Sequence, residues 1–155
     1  MTKSRLHKFQ PGYSWSEVAR ESYKEGDGCW CGIDRNTLIG NKGESTKFHL
    51  RYFEIAAGGN SSLEKHDHEH VVVCVRGKGR AVVDARLHEM ENLDVLYVAP
   101  ETPHQFINPY GEPFGFFCMV DAERDRPREL SPEDLQALES SEETKGKFVG
   151  YVEGD

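Results

Sequence analysis

The chain has 155 residues, of which 37% are hydrophobic and 30% are charged, and its formal net charge is −8 at pH 7. A chain of this length buries the core of one ordinary domain and is too short for two. The negative charge repels phosphate backbones and anionic bilayers, and no basic stripe with interleaved aromatic residues opposes it. We therefore expect neither nucleic acid nor a membrane as a partner.

The longest strongly apolar run is VVVCV at residues 71–75, whereas a bilayer span needs about 20 apolar residues. The polar segment MTKSRLHKFQ at the amino terminus also lacks the apolar stretch of a secretory signal. We therefore expect a cytoplasmic protein with reduced cysteines. Cys29 and Cys31 form a Cys-x-Cys pair with no second pair at zinc-finger spacing, and we interpret them as semi-buried thiols.

The amino-terminal third gives weaker structural signals than the centre. The stretch SWSEVARESYK begins at Ser14, and Glu17 follows three residues later, a spacing typical of a helix capping box. It predicts a short helix. A glycine-bearing stretch at residues 24–45 follows, with one strand predicted at TLIG. We expect residues 1–45 to form an arm that packs on the rest of the domain or on a partner subunit.

The centre of the chain, residues 46–121, contains six short β-type runs separated by Gly, Pro, Asn and Asp. The runs are KFHLRYFEIAA, HVVVCVR, RAVVDA, LDVLYVA, HQFIN and FGFFCMV. Short strands at this regular spacing predict an all-β sandwich or barrel. A small barrel has open edges that need cover, so we expect a homodimer formed through strands.

Residues 122–155 begin with the charged loop ERDRPREL. The stretch SPEDLQALESSEE then places Ser131 as a cap, Pro132 at the first helical position and acidic residues in the first turn. This pattern predicts a short surface helix near the carboxyl terminus.

Candidate metal ligands are concentrated in LEKHDHEH, where Glu64, His66, His68 and His70 occupy alternate positions. Such residues on a straight strand would span roughly 20 Å, whereas metal ligands all lie ~2 Å from one ion. The chain must therefore bend within this stretch. We predict Glu64, His66 and His70 as ligands, with His104 supplied by a facing strand. In the alternative set, His68 replaces Glu64.

The spacing of these residues resembles the first cupin motif, G-x5-H-x-H-x3-E-x6-G. Here Gly58, Glu64, His66, His70 and Gly77 stand at the motif positions, with the ligand types permuted to Glu, His and His. The sequence is thus similar to the cupin superfamily. This resemblance implies an antiparallel β-barrel of the jelly-roll type over residues 46–121, with a short carboxyl-terminal helix and an amino-terminal arm.

The second cupin motif, G-x5-P-x-G-x2-H-x3-N, resembles LDVLYVAPETPHQFIN. His104 and Asn108 are in register, and Pro100 stands one place late. Leu93 and Glu101 occupy the positions of the two motif glycines. The absence of both glycines affects the expected shape of the turns and leaves the predicted metal ligand, His104, in place.

The order Glu-x-His-x3-His is similar to the manganese site of the (S)-ureidoglycine aminohydrolases. In that family the fourth ligand is a glutamine, where this chain has His104, and each chain holds two cupin units. The resemblance implies that this ligand order serves a hydrolytic manganese site, and it carries no substrate to this chain.

Three neutral imidazoles and one carboxylate leave a divalent ion positively charged and, if it is six-coordinate, with open positions. The N and O ligands favour Mn or Fe, and Ni, Co or Zn also fit. We expect a metalloenzyme that acts on a small carboxylate, amide or keto compound by hydrolysis, isomerisation or oxygen chemistry. The alternative is a non-catalytic cupin that binds a small ligand or regulates a partner.

Strand alternation suggests which residues line the lumen. Val72, Cys74 and Arg76 share the face of His70. Phe106 and Asn108 share the face of His104. In FHLRYF, parity does not decide whether Arg51 or Tyr52 points inward. The predicted pocket candidates are Arg51, Tyr52, Val72, Cys74, Arg76, Phe106 and Asn108.

Overall fold

The computed structural model describes residues 2–23 and 31–149. Within them the chain forms eleven strands and one helix. In chain order these are β1 (Phe9–Gln10), β2 (Ser14–Trp15), β3 (Arg20–Ser22), β4 (Cys31–Ile39), β5 (Phe48–Asn60), β6 (His70–Arg76), β7 (Gly79–Val83), β8 (Arg86–Met90), β9 (Val95–Val98), β10 (His104–Ile107), β11 (Phe114–Asp121) and α1 (Pro132–Ser140).

Nine of the strands form one sheet that curls into a half-barrel. The main path runs β8-β7-β10-β5-β11-β6-β9, and β4 also pairs with β5 and with β3. Strands β1 and β2 form a separate hairpin. All of these pairings are antiparallel, so the predicted all-β antiparallel fold is confirmed.

Each of the six predicted β-runs contains a strand, and β8 was missed. Its sequence, RLHEM, is mostly polar and exposed, so it lacks the apolar alternation by which strands are recognised. It forms because Asp84 takes a positive φ of 58° and reverses the chain tightly after β7. The hairpin partner, rather than burial, therefore specifies this strand.

The helix predicted at residues 14–24 is wrong over the described residues, which form β2 and β3 instead. Glu17 has a φ of 62°, a left-handed conformation that a helix does not contain. Trp15 packs on the rings of Tyr52 and Phe117, with centroids 5.0 and 5.9 Å away. Aromatic packing between distant segments therefore overrides the local capping signal.

The segment before residue 46 contributes directly to the sheet. β4 pairs with β5 from Cys31, opposite Asn60, to Ile39, opposite Leu50. The predicted boundary between arm and barrel thus falls between two paired strands. The hairpin of β1 and β2 covers one face of β5, where Tyr13 stacks on Tyr52 at 5.9 Å.

Strand β5 is buried on both faces, which explains why its sequence alone did not show which residues point inward. On the inner face Arg51 pairs with Cys118 and Phe53 with Phe116 of β11. The inner face carries the main apolar core, to which each buried phenylalanine contributes roughly 1.5–3 kcal/mol. Tyr52 lies on the outer face beneath the amino-terminal hairpin.

A β-bulge in β6 changes the position of Arg76. Cys74 and Arg76 pair with consecutive residues of β11, so Val75 is an extra residue and the alternation breaks. Arg76 therefore donates to Glu54 at 2.8 Å and stacks over Tyr13 on the outer face. The prediction that Arg76 shares the inner face with Cys74 is wrong for this reason.

The carboxyl-terminal helix α1 was predicted correctly. Ser131 accepts from the backbone N–H of Asp134, whose side chain in turn accepts from the backbone of Ser131. Leu138 is buried in a second apolar cluster that joins the helix to the sheet. No helix of the described residues is both long and apolar enough to cross a membrane.

Four motif positions adopt the left-handed backbone conformation. Gly58 has a φ of 79° and Gly77 a φ of 60°, values that glycine adopts at little cost. Leu93 (φ 72°) and Glu101 (φ 59°) occupy the two glycine positions of the second cupin motif. The turns at Leu93 and Glu101 thus have the left-handed backbone conformation that glycine adopts most easily, although these two residues have side chains.

Candidate metal centre

Three histidines from two distant segments of the chain meet at one point. His66 precedes β6, His70 begins β6 and His104 begins β10. One side-chain nitrogen of each lies within 4.8 Å of the others, and the Nε2 atoms of His66 and His70 are 2.8 Å apart. All three side chains are buried.

Backbone pairing brings the segment before β6 to β10. The N–H of Glu64 donates to the carbonyl of His104 at 3.2 Å, and the N–H of His104 donates back at 3.0 Å. This short antiparallel bridge places His66 beside His104. Asp67 and His68 then form a bend, so LEKHDHEH leaves a straight path before His70.

Hydrogen bonds select the tautomers of two of the rings. Nδ1 of His66 lies 2.7 Å from the carbonyl oxygen of His68, and Nδ1 of His104 lies 2.9 Å from that of Thr102. A carbonyl only accepts, so each Nδ1 carries the proton and donates it. The lone pair then resides on Nε2, as in a metal-ligating histidine held by an outer hydrogen bond.

The rings of His66 and His70 are neutral at physiological pH. Burial, reinforced by the neighbouring histidines, lowers the pKa of His66 to about 4. Burial also lowers the pKa of His70 far below its ordinary value. Because a metal ion binds the neutral imidazole, these rings are ready to act as ligands without first losing a proton.

The donor set fits a divalent transition-metal ion. The Nε2 atoms of His66 and His70 are 2.8 Å apart, so with the His66 lone pair on Nε2 the gap between them suits either a proton donated by His70 or a bound cation. Two nitrogens ~2.1 Å from one ion and at a right angle to each other would be ~3.0 Å apart. The observed separation is therefore close to that of two neighbouring ligands of one ion.

Glu64 lines the same cavity as His70 and His104. Its Oε2 accepts a hydrogen bond from Ser62 Oγ at 2.7 Å. The tight cluster found among the described residues consists of the three histidines alone. The role of Glu64 as a fourth ligand therefore stays a prediction.

His68 occupies the bend, outside the tight cluster. Its Nδ1 lies 2.8 Å from Asp125 Oδ1, and its backbone N–H donates to the same oxygen at 2.9 Å. The N–H of Asp67 donates to Asp125 Oδ2 at 2.7 Å. Asp125 thus fixes the turn that carries His66. Sequence reasoning missed Asp125, because nothing in the loop ERDRPREL links it to a histidine 57 residues away.

A cavity of about 40 Å³ adjoins the histidines, with room for about three water molecules. Of the predicted pocket residues, Arg51 and Phe106 line it. Val72 and Cys74 are buried in the inner-face core. Tyr23 also lines the cavity and was missed, because it lies in the segment predicted as an arm.

Two further pocket candidates lie elsewhere. Tyr52 is on the outer face of β5. Asn108 is fully buried, and its Nδ2 donates to the carbonyls of Ile55 and Glu112 at 2.9 and 2.7 Å. Asn108 therefore holds the loop between β10 and β11. Like Arg76, neither residue is among those that line the cavity.

The cysteines divide between core and surface. Cys74 and Cys118 are buried, and Cys118 Sγ lies 3.0 Å from His70 Nδ1. Cys31 is exposed rather than semi-buried, since it stands at the first position of β4. Cys29 lies outside the described residues.

Comparison with known proteins gives a consistent result. The sequence model of the Cupin domain family matches residues 51–120. The 1-methylthio-D-xylulose 5-phosphate methylsulfurylase of Rhodospirillum rubrum is 36% identical over 135 residues, which cover 86% of this chain and 85% of that protein.

Two solved structures are similar over most of their length. A cupin-2 domain from Rhodospirillum rubrum superposes with a TM-score of 0.77 and 35% identity, covering 88% of this chain and 91% of that one. A cupin 2 conserved barrel domain protein from Rhodopseudomonas palustris has a TM-score of 0.85 and 32% identity, with 94% and 99% covered.

Proposed function

The chain belongs to the cupin family, and on that basis we propose that it is a metal-dependent enzyme acting on a small polar metabolite. The observation that carries the proposal is the convergence of His66, His70 and His104 beside a cavity. Buried imidazoles grouped in this way are typical of a catalytic ion with open positions. Manganese or iron is the proposed ion, with nickel, cobalt and zinc as the other candidates.

In this proposal the three histidines hold the ion and Glu64 completes the set. A bound divalent ion would act as a Lewis acid on an oxygen of the substrate. The carbonyls of His68 and Thr102 keep the ring protons on Nδ1 and orient the rings. Apolar residues such as Phe106 keep bulk water away and thereby strengthen electrostatic interactions inside the cavity.

The substrate class follows from the relative in Rhodospirillum rubrum, whose name describes action on a phosphorylated keto sugar that carries a methylthio group. We infer that small keto or hydroxy compounds are the first substrates to assay here. The reaction is then a transfer of the sulfur group, an isomerisation, a hydrolysis or oxygen chemistry at the carbon next to the polarised oxygen.

The test is elemental analysis of protein purified without a metal-affinity tag, followed by activity assays before and after chelation. We expect about one equivalent of metal in the wild type and its loss in His66→Ala, His70→Ala and His104→Ala, each of which removes a ligand. Glu64→Gln should weaken binding. His88→Ala, an exposed change on β8, is the matched control. Turnover that survives complete metal removal would overturn the proposal.

The second candidate is a cupin that binds a ligand without turnover, and the cavity volume limits that ligand to a small molecule or ion. About 40 Å³ holds a few water molecules rather than a whole sugar phosphate. Under this reading, ligand and metal bind together and no product forms over long incubation.

A further inference from the structure

Arg51 is a buried cation beside the histidine cluster. It is 7% exposed and lines the same cavity as His70 and His104. Its Nη2 lies 3.4 Å from Cys118 Sγ, and its Cζ lies 4.8 Å from the centre of the Phe53 ring. Its Nε is buried without a hydrogen-bond partner among the described residues.

Other arginines of the sheet are matched with acids. Arg20, Arg35 and Arg76 each form at least one ion pair with a carboxylate, at 2.8 to 3.1 Å. Arg51 forms none with any carboxylate in residues 2–23 and 31–149, although it is more buried than they are. Burying a charge without a counter-ion costs free energy. An anion from outside the chain would lower that cost by pairing with Arg51.

A second guanidinium, that of Arg124, lies close enough to Arg51 for the two charges to repel each other. Burial, together with the charge of Arg51, lowers the pKa of Arg124. Glu64 is an acidic residue of the cavity wall, but it accepts from Ser62 and does not pair with Arg51. The cavity therefore presents one guanidinium and the candidate metal ligands to whatever enters it.

We propose that Arg51 binds an anionic group of the substrate, a phosphate or a carboxylate, and so selects small anionic metabolites. This inference rests on the proposed metal-dependent function. Cys118 Sγ is in contact with both Arg51 Nη2, at 3.4 Å, and His70 Nδ1, at 3.0 Å. The two sites are therefore close enough for one small molecule to occupy both, with its oxyanion on the guanidinium and another oxygen toward the histidines.

The chemistry of the guanidinium suits this role. Its planar donors match the oxygens of a phosphate or carboxylate in pairs, and the unpartnered Nε offers one of those donors. A neutral analogue would leave the buried charge uncompensated, so the site should reject it strongly. Lysine at this position would keep the charge but lose the paired geometry.

The test begins with calorimetric titration of inorganic phosphate, acetate and neutral acetamide into chelated protein, so that metal binding does not contribute. We expect one anion to bind the wild type. Arg51→Met should weaken that binding by at least about tenfold, Arg51→Lys by less, and the exposed change Arg86→Met not at all. Tighter binding of phosphate than of acetate would favour a phosphate as the anionic group that Arg51 recognises, and the reverse order a carboxylate.

A second measurement separates recognition from a structural role. Without anion, Arg51→Met should unfold at the same or a higher urea concentration than the wild type, because it removes an unpaired buried charge. The stabilisation that the anion gives the wild type should disappear in the variant. A less stable variant, equal anion binding by both proteins, or no anion binding by the wild type would overturn the proposal.

Manganese titration of the same proteins distinguishes this proposal from the proposed function. Arg51→Met should still bind one equivalent of manganese, because Arg51 is not a ligand. If the wild type binds manganese and turns over substrate but Arg51→Met leaves anion affinity unchanged, this inference fails and the metalloenzyme stands. If no metal binds at all, the proposed function fails, and with it the two-site substrate.

Discussion

The imidazole ring of His66 lies flat against that of His68, with centroids 3.6 Å apart and planes 2° from parallel. His68 is itself held by Asp125 through both its ring and its backbone N–H. A chain of contacts therefore runs from a surface carboxylate to the proposed ligand His66. The loop after β11, which carries Asp125, therefore helps to hold the ring of His66 in place at the candidate metal centre.

Asp125→Asn should weaken manganese binding by about tenfold, a typical effect of removing a hydrogen bond that orients a ligand. The neutral amide cannot accept as strongly from Asp67 N–H, His68 N–H and His68 Nδ1 together. Calorimetry with manganese measures the effect. Glu123→Gln, an exposed change in the same loop, is the control, and equal affinities in all three proteins would contradict the prediction.

His68→Ala should reduce metal affinity but leave about one equivalent bound, because His68 supports a ligand without being one. His66→Ala should abolish binding. Elemental analysis of the two variants side by side decides the matter. If His68→Ala loses its metal while Glu64→Gln keeps it, the ligand set with His68 in place of Glu64 is correct.

The sequence predicted those parts of the site that depend on spacing within one segment. Gly58, His66, His70 and Gly77 are linked by fixed intervals, and the turn and ligand positions follow from them. The bulge at Val75 has no such signal, because it reflects how β6 pairs with β11.

The contribution of Asp125 to the site could not be predicted for a related reason, and the sequence named Arg51 as a pocket candidate without deciding whether it or Tyr52 points inward. The partners of Asp125 lie 57 and 58 residues away, and no local pattern encodes that contact. Arg51 stands on a strand that is buried on both faces, where alternation of apolar and polar residues disappears. Both roles depend on the tertiary arrangement rather than on local sequence.

Leu93→Gly should stabilise the protein by roughly 0.5 kcal/mol. Leu93 is exposed and has a φ of 72°, so its side chain contributes little burial while its backbone is strained by about 1 kcal/mol. Glycine relieves the strain but loses more chain entropy on folding, which offsets part of the gain. Urea unfolding measures the difference.

The matched control for Leu93→Gly is Glu91→Gly. Glu91 lies two residues earlier and is not among the described residues with a positive φ. Glycine there relieves no strain, so only the entropic cost remains and this variant should be less stable than the wild type. A destabilised Leu93→Gly would show that the left-handed conformation is not a source of strain.

The homodimer stays a prediction. We expect its interface to include the edge strand β9. β9 pairs only with β6 in the sheet, so its outer edge is unpaired among the described strands. Val95 and Tyr97 on it are exposed, although both favour strand surfaces that become covered. Sedimentation analysis should show a dimer for the wild type and a monomer for Val95→Lys. A monomeric wild type would contradict this.

The metal-free protein should lose stability as the pH falls from about 6.5 toward about 4. The pKa of His66 is lowered from 6.5 to about 4 in the folded state, mainly by burial, and that of His70 is lowered further. In this window the unfolded chain binds protons that the native state does not bind. Protonation therefore lowers the free energy of the unfolded state relative to the native state. The stability contribution is therefore complete above pH 6.5 and is lost on acidification.

Urea midpoints of chelated protein, measured between about pH 7 and about pH 4.5, test this window. The midpoint should fall with pH in the wild type and fall less steeply in His66→Gln, which removes one of the responsible groups. His88→Gln, on exposed β8, should follow the wild type. Saturating manganese should raise the midpoint most near neutral pH, because protons compete with the metal for the same nitrogens. A midpoint that is independent of pH across this range would show that the buried imidazoles are not the groups that link stability to protonation.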